Sequence, residues 1–459
     1  MNRPSPPPGG MRTFAQVLAN TAVANLTTNF LWFSLVFWVY LETRSILASG
    51  ILSGGYMILL AASSMWFGSL VDRMRKIRVM RLSAWTSLLA FAIGAAIFFA
   101  VPQPTLLRLD GPWFWFFALV LLAGCVVELM RNLALATTVT LLVPDERHAN
   151  ANGLVGAVQG LAFIATSVFS GLSVGLLGMP ATIVIALVLT ALPVAHLHLL
   201  RIAEPEVVHD PNRRAIDFRG GWLAILAVPG LLGLIMFTTL NNLSGGVYMA
   251  LLDPYGLTMF PVEVWGMVFG LAGTGFLIGG ALVAKFGLGA NPIRAMLLLV
   301  IVVGVIGATF TLREWPWLFI TGMWLFMLVM PAIEAAEQTV IQRVVPYDRQ
   351  GRVFGLAMTF EAATAPLTAL VIAPLAELLI VPYVSSPAGA ATWAPLLGAG
   401  ESRGIALTFF WSGLAVIALG AAAFGTRTYR TLTRSYRDAA PAPTGALGRD
   451  AATDASSTA

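Results

Sequence analysis

Glu128, Arg131 and Asn132 stand at i, i+3 and i+4, and Glu334, Glu337 and Gln338 repeat that spacing in the second part of the chain. On a helix this spacing gathers three side chains on one face. Both sets lie in long apolar runs, as does Glu361. A charge at the centre of a lipid-crossing helix costs about 2.5–3.5 kcal/mol on insertion scales, so such a residue needs a partner, a wet cavity or a task. Arg131 is the natural counter-ion of Glu128. The pair is open to two readings, a local ion pair that makes insertion tolerable or a pair that responds to substrate or proton. Glu334 and Glu337 have no cation on their own face. They could pick up and release protons, or Glu337 could be hydrated near the end of its run and paired with Arg343 or Arg349. Glu361 falls where the first part carries Gln159, at an offset of 202 residues. An acid opposite a neutral amide suits a proton-carrying side chain, and capping of a gate is the other reading.

Other polar residues in apolar runs are cheaper. Asn25 and Asn29 lie in the first run, with Thr21 and Thr28, and Asn241 lies in a later one beside Thr238 and Asn242. Such amides hydrogen-bond a substrate in a cavity, or hold helices together at about 0.6 kcal/mol each. Four histidines without paired Cys/His spacing give no structural metal site. The lone Cys125 rules out an intramolecular disulfide. No catalytic constellation is present, and neither cofactor nor metal is expected.

The elements that carry these residues follow from composition. Of 459 residues, 58% are hydrophobic and 11% charged, against about 25% charged in soluble domains. That excludes a soluble enzyme, a nucleic-acid binder and a disordered chain, and makes the protein an integral membrane protein. A crossing helix takes roughly 20 apolar residues. Apolar runs between breaks predict twelve spans: 14–41, 46–70, 79–101, 114–142, 152–177, 181–201, 222–250, 262–286, 293–313, 315–343, 352–380 and 404–425. The first run is too long for a cleaved signal, whose apolar core is about 7–15 residues. The expected layout is a tail over 1–13, a six-helix bundle over 14–201, a polar linker over 202–221 with Arg213, Arg214 and Arg219, a second six-helix bundle over 222–426, and a disordered tail over 427–459.

With both termini inside, only Arg44, Arg108, Arg313 and Arg403 fall outside and Arg131 within a span, leaving 22 of the 27 Lys and Arg residues on the cytoplasmic side. That is the bias of the positive-inside rule. It accounts for the net charge of +5 without a nucleic-acid partner.

The two bundles share a pattern. Pro144, Arg147, Gly153 and Leu154 match Pro346, Arg349, Gly355 and Leu356 at an offset of 202, and Gly68-Ser-Leu-Val-Asp72-Arg73 aligns with Gly280-Ala-Leu-Val-Ala-Lys285 at an offset of 212. Equivalent matches in two six-helix halves point to duplication around a central site.

The loop Gly68-Ser-Leu-Val-Asp72-Arg73-Met-Arg75-Lys76 resembles the Gly-x-x-x-Asp-Arg-x-Gly-Arg-Arg signature of the major facilitator superfamily, with Met74 and Arg75 departing from it. The resemblance covers 14–426 and implies twelve helices in two pseudo-symmetric six-helix bundles. It also implies a cytoplasmic gate with Gly68 at a close helix contact and Asp72 and Arg73 in its latch. The segments 143–154 and 345–356 look like those of bacterial drug, macrolide and siderophore exporters. By that resemblance the fourth and tenth helices line the cavity. Glu128, Arg131, Glu334, Glu337, Glu361, Asn25, Asn29 and Asn241 are then candidates for proton coupling or substrate binding. The expectation is a monomeric exporter of an amphipathic organic compound, driven by protons, in a bacterial inner membrane. An importer in the same fold, a membrane-embedded transferase and a transporter-like sensor are the rivals.

Overall fold

The computed structural model describes residues 9–43, 46–202, 204, 217–398, 400 and 402–439. Arg44, the linker arginines Arg213 and Arg214, and the ends of both expected tails lie outside the described residues. Long helices dominate. They are α1 (Gly10–Thr43), α2 (Ile46–Arg73), α3 (Lys76–Ala100), α4 (Pro112–Leu142), α5 (His148–Leu172), α6 (Gly178–Leu199), α7 (Leu231–Met259), α8 (Val262–Phe286), α9 (Pro292–Thr309), α10 (Pro316–Val344), α11 (Gln350–Leu375) and α12 (Arg403–Gly425). Among the described residues there is no strand. Proline sets the first turn of α4, α9 and α10, where its fixed φ suits a helix start and its missing N–H is no loss.

Among the described residues, ten helical stretches are long and apolar enough to cross a membrane, or eleven with the bent pair that includes α7. One of the ten is the run Asp145–Leu199, 55 residues long, which as a single rod would measure about 80 Å. It folds back instead. Gly178 has φ +76°, and Ser173 and Thr182 hydroxyls meet across the turn at 2.7 Å. Both ends of the run then lie at one side of the molecule: His148 contacts the Val143 carbonyl, and Arg81 donates to the carbonyls of Leu197 and Leu200. The hairpin therefore supplies two crossings. We call this side, which carries the start of α1, Asp217 and the helix Arg427–Asp438, the proximal end.

Two expectations need correction. The seventh span does not begin at 222. Phe218–Ala227 is a separate helix, bent 110° from α7, because Gly230 at φ +90° breaks the chain between them. The tail is not disordered throughout either. Arg427–Asp438 is a helix, capped by the Thr426 hydroxyl on the Tyr429 N–H. It buries Leu432 and Tyr436, while Arg427, Arg430, Arg434 and Arg437 face outward. The Tyr436 ring lies 4.4 Å from the Arg343 guanidinium, so its amphipathic stripe docks it on the second half.

The internal repeat is visible in the packing. The short 3-10 turns Asp145–Arg147 and Tyr347–Arg349 open α5 and α11, and π turns at Ser173–Leu177 and Ala376–Ile380 follow them. Each of these helices crosses to the other half, α5 against α8 and α11 against α2. Glycines make these crossings close. A Cβ on Gly68 would meet the Gly355 Cα at 3.0 Å, and one on Gly153 would meet the Ala284 and Val283 backbone. Without a hydrophobic drive between helices in lipid, such small-residue contacts carry the association. The contact ends part-way along. At the other, distal end a Cβ on Gly54, Gly171, Gly266 or Gly270 would meet nothing within 4 Å. The halves are closed proximally and apart distally.

Candidate functional site

Between the halves lies a cavity of about 500 Å³. Asn25, Asn29, Glu128, Asn132 and Gln159 supply its polar wall, and Tyr56, Phe163, Phe276, Phe326, Met327, Met330 and Met358 much of its apolar one. Polar groups thus come from the first half, and aromatic rings and thioethers mostly from the second. Asn25 Nδ2 donates to Asn132 Oδ1 at 3.0 Å, joining α1 to α4 along the wall.

Glu128 and Arg131 form a contact of 2.7 Å and both are buried. Arg131 points away from the cavity, where its Nη1 donates to Asn20 Oδ1 at 2.6 Å. Asn20 in turn donates to the Pro193 carbonyl and meets His196 Nδ1 at 3.1 Å. The pair is therefore built into the first bundle, with the Glu128 side facing the cavity.

Glu334, Glu337 and Glu361 do not line that cavity. They gather beside it, one turn from Met330 and Met358 on the same helix faces. The Thr238 hydroxyl lies 3.1 Å from Glu337 Oε1 and 3.0 Å from Glu361 Oε1. Both carboxyls thus converge on one hydroxyl, with Glu334 one turn before Glu337 on α10. Thr238, Glu337 and Glu361 stand seven to eleven residues from the proximal ends of their helices, about 10–16 Å along the axis. Asn241, one turn beyond Thr238, is absent from the cavity lining and makes no side-chain hydrogen bond among the described residues.

The proximal seam seals the cavity floor. Asp72 accepts from the backbone N–H of Gly351 at 2.7 Å and of Arg352 at 3.0 Å, and from Arg352 Nε at 2.9 Å. It occupies the start of α11, where unpaired N–H groups favour an anion. Arg352 Nη1 reaches on to Asp217, the cap of the linker helix. Arg73 makes no ion pair among the described residues, and its Nη2 is buried without a hydrogen-bond partner. The cation that Asp72 meets is Arg352.

A set of amides that sequence reasoning missed strengthens the seam. Asn152 Nδ2 donates to Gln342 Oε1 and Thr339 Oγ1, both at 2.9 Å. Gln342 Nε2 donates to the Ala136 carbonyl at 2.8 Å, and Thr140 donates to Gln350 Oε1 at 2.9 Å. The signal available was Asn152 and Gln350, polar residues beside the repeated Pro-x-x-Arg turns. Among the described residues no group of three or more His, Cys, Asp or Glu side chains is arranged to hold a metal ion.

A family model described as the Major Facilitator Superfamily matches residues 17–369. No curated relative matches the sequence. Among solved structures, a bacterial homologue of the iron transporter ferroportin in its outward-facing state is similar, with TM-score 0.63 and 16% identity over 90% of this chain and all of that one. The human organic anion transporter MFSD10 is similar at TM-score 0.63 and 15% identity, over 91% of this chain and 100% of that one. The proton:xylose symporter XylE follows at TM-score 0.58 and 10% identity, over 91% and 96%. At these identities the likeness is one of fold. The family match spans more than half of the chain, and with a central cavity between two repeated helical halves it places the protein in the Major Facilitator Superfamily of membrane transporters.

Proposed function

We propose that this transporter exports an amphipathic organic compound in exchange for protons, as a monomer in a bacterial inner membrane with its proximal end in the cytoplasm. The observation that carries the reading is the single Thr238 hydroxyl lying between the Glu337 and Glu361 carboxyls. One hydroxyl has one proton to donate, so two ionised carboxylates cannot both be satisfied there. The cluster thus holds a proton in the state with the halves apart distally. Charge also supports the orientation, since the proximal end holds most of the Lys and Arg residues.

In this mechanism compound and proton meet in neighbouring compartments, the cavity and the carboxyl cluster. Met330 and Met358 link the two along α10 and α11. A proton arriving from the outside neutralises the cluster. Opening of the seam, by separation of Asp72 from Arg352 and of Asn152 from Gln342, exposes both compartments to the cytoplasm. Loss of the proton there leaves like charges together, which a new conformation must relieve. Alternating access of two halves is the motion this architecture permits.

The test is proton movement in inverted membrane vesicles on addition of amphipathic compounds, with wild type, Glu334→Gln and Glu361→Gln compared. Compound-dependent release of luminal protons that disappears in Glu361→Gln supports exchange. Absence of any response, with the protein verified in the membrane, sinks drug–proton exchange and favours an importer.

A further inference from the structure

A second cavity, of about 340 Å³, lies wholly within the second half, between α7, α8, α9 and α10. Its walls are the rings of Tyr248, Phe269, Phe310 and Phe326 with Met323 and Met327. Phe326 and Met327 also line the central cavity, so the two spaces share a wall of two flexible side chains. Tyr248 is held by its neighbours, 5.0 Å from Phe326, 6.0 Å from Phe310 and stacked on Phe409 at 5.2 Å. Its hydroxyl makes no hydrogen bond among the described residues.

One charged residue borders this aromatic space. Asp253 lines it and is exposed, and its Oδ1 accepts from Trp265 Nε1 at 2.9 Å. That donor is neutral, and Asp253 makes no ion pair among the described residues. The imbalance extends across the interior. Glu128 is matched by Arg131, whereas Asp253, Glu334, Glu337 and Glu361 have no cation within 4 Å among the described residues. Aromatic faces carry negative potential that attracts cations, more strongly where water is excluded. A space with ring walls and one unmatched carboxylate repels an anion and gives a neutral polar molecule little to bond.

We propose that this cavity is a subsite for the cationic end of an organic cation, held by Tyr248, Phe310, Phe326 and Asp253, with the apolar remainder of the molecule reaching the central cavity past Phe326 and Met327. The proposal rests on the reading that the protein carries an amphipathic organic compound, and it names the charge of that compound. The 110° bend before α7 leaves Asp253 unaffected, since it lies at the distal end of that helix, where the halves stand apart. A cation entering from the distal side, or leaving to it, therefore passes Asp253.

The experiment is equilibrium binding of radiolabelled tetraphenylphosphonium, and of its equally shaped anion tetraphenylborate, to the full-length protein in lipid nanodiscs. Asp253→Asn keeps an acceptor for Trp265 and removes only the charge. Gly245 borders the cavity, and a Cβ there meets nothing within 4 Å, so Gly245→Phe fills the space without a backbone clash. Expected are preference for the phosphonium in wild type, loss of about tenfold in its affinity in Asp253→Asn, recovery in Asp253→Glu and loss in Gly245→Phe. Melting temperatures of the variants show whether each is folded. Equal binding of the borate, no phosphonium binding by the wild type, or unchanged affinity in both Asp253→Asn and Gly245→Phe overturns the subsite. Phosphonium binding with these properties but without proton movement in vesicles keeps the subsite and overturns the exchange reading instead.

Discussion

Arg352 holds Asp72 across the two halves of the molecule, Nε to Oδ2 at 2.9 Å, with both side chains buried. Two backbone N–H groups of α11 complete the carboxylate's shell, and Asp217 takes the other end of the guanidinium. Removing one partner of a buried pair strands the other, at a cost of about 3–5 kcal/mol. Asp72→Asn and Arg352→Gln therefore weaken the proximally closed state. Spin labels on the distal ends of α2 and α11 should report shorter separations in either variant. Unchanged distance distributions would show that the amide contacts suffice to hold the seam.

The glycine crossings make a paired prediction. Gly68→Val and Gly280→Val each place branched carbons against the facing backbone. Overpacking of this kind costs about 1–3 kcal/mol, so both should lower the melting temperature. Gly266→Ala, with open space around it, should melt as wild type does. A fall in Gly266→Ala equal to the others would mean that the melting temperature is not reporting close contact, since helix propensity favours Ala over Gly.

Glu128 and Arg131 test how a buried pair is tolerated. Arg131→Met leaves Glu128 facing the cavity unpaired and empties the Asn20 contact, a loss of about 3–5 kcal/mol. The double variant Glu128→Gln with Arg131→Met should recover part of that. A thermodynamic cycle over the two sites checks it, and strict additivity would mean that the contact contributes nothing.

The tail helix gives the fourth. Leu432 and Tyr436 are buried against α7 and α10, so Leu432→Ala should cost about 2–5 kcal/mol if its site cannot collapse. Truncation before Arg427 should lower the melting temperature, and truncation after Ala439 should leave it unchanged. Equal melting of both truncated proteins would show that the docked helix adds no stability.

How legible was all this in the chain? Apolar runs and arginine placement are local quantities, and they determined the membrane class, the approximate spans and the basic end. The 202 and 212 offsets anticipated which turns and glycines would be equivalent, because a duplicated bundle keeps the residues its crossings need. Composition misled at the ends of elements. Trp222–Ala227 is apolar enough to read as membrane span, yet Gly230 turns it away from α7. Polar composition likewise hid the docked stripe of Arg427–Asp438.

What tertiary structure alone decided is pairing. No spacing in the sequence indicates that Asp72 meets Arg352, 280 residues away, rather than its neighbour Arg73. Nor does any spacing bring Thr238 between Glu337 and Glu361, on three different helices. Helical periodicity orders the residues on one face of one helix. Which faces meet depends on how whole bundles pack, and that is settled by many small contacts along the seams at once. The candidate acids could be named from the sequence because a buried charge is expensive wherever it stands, but their division into a paired residue at the cavity and a cluster of carboxyls around Thr238 beside it came from the fold.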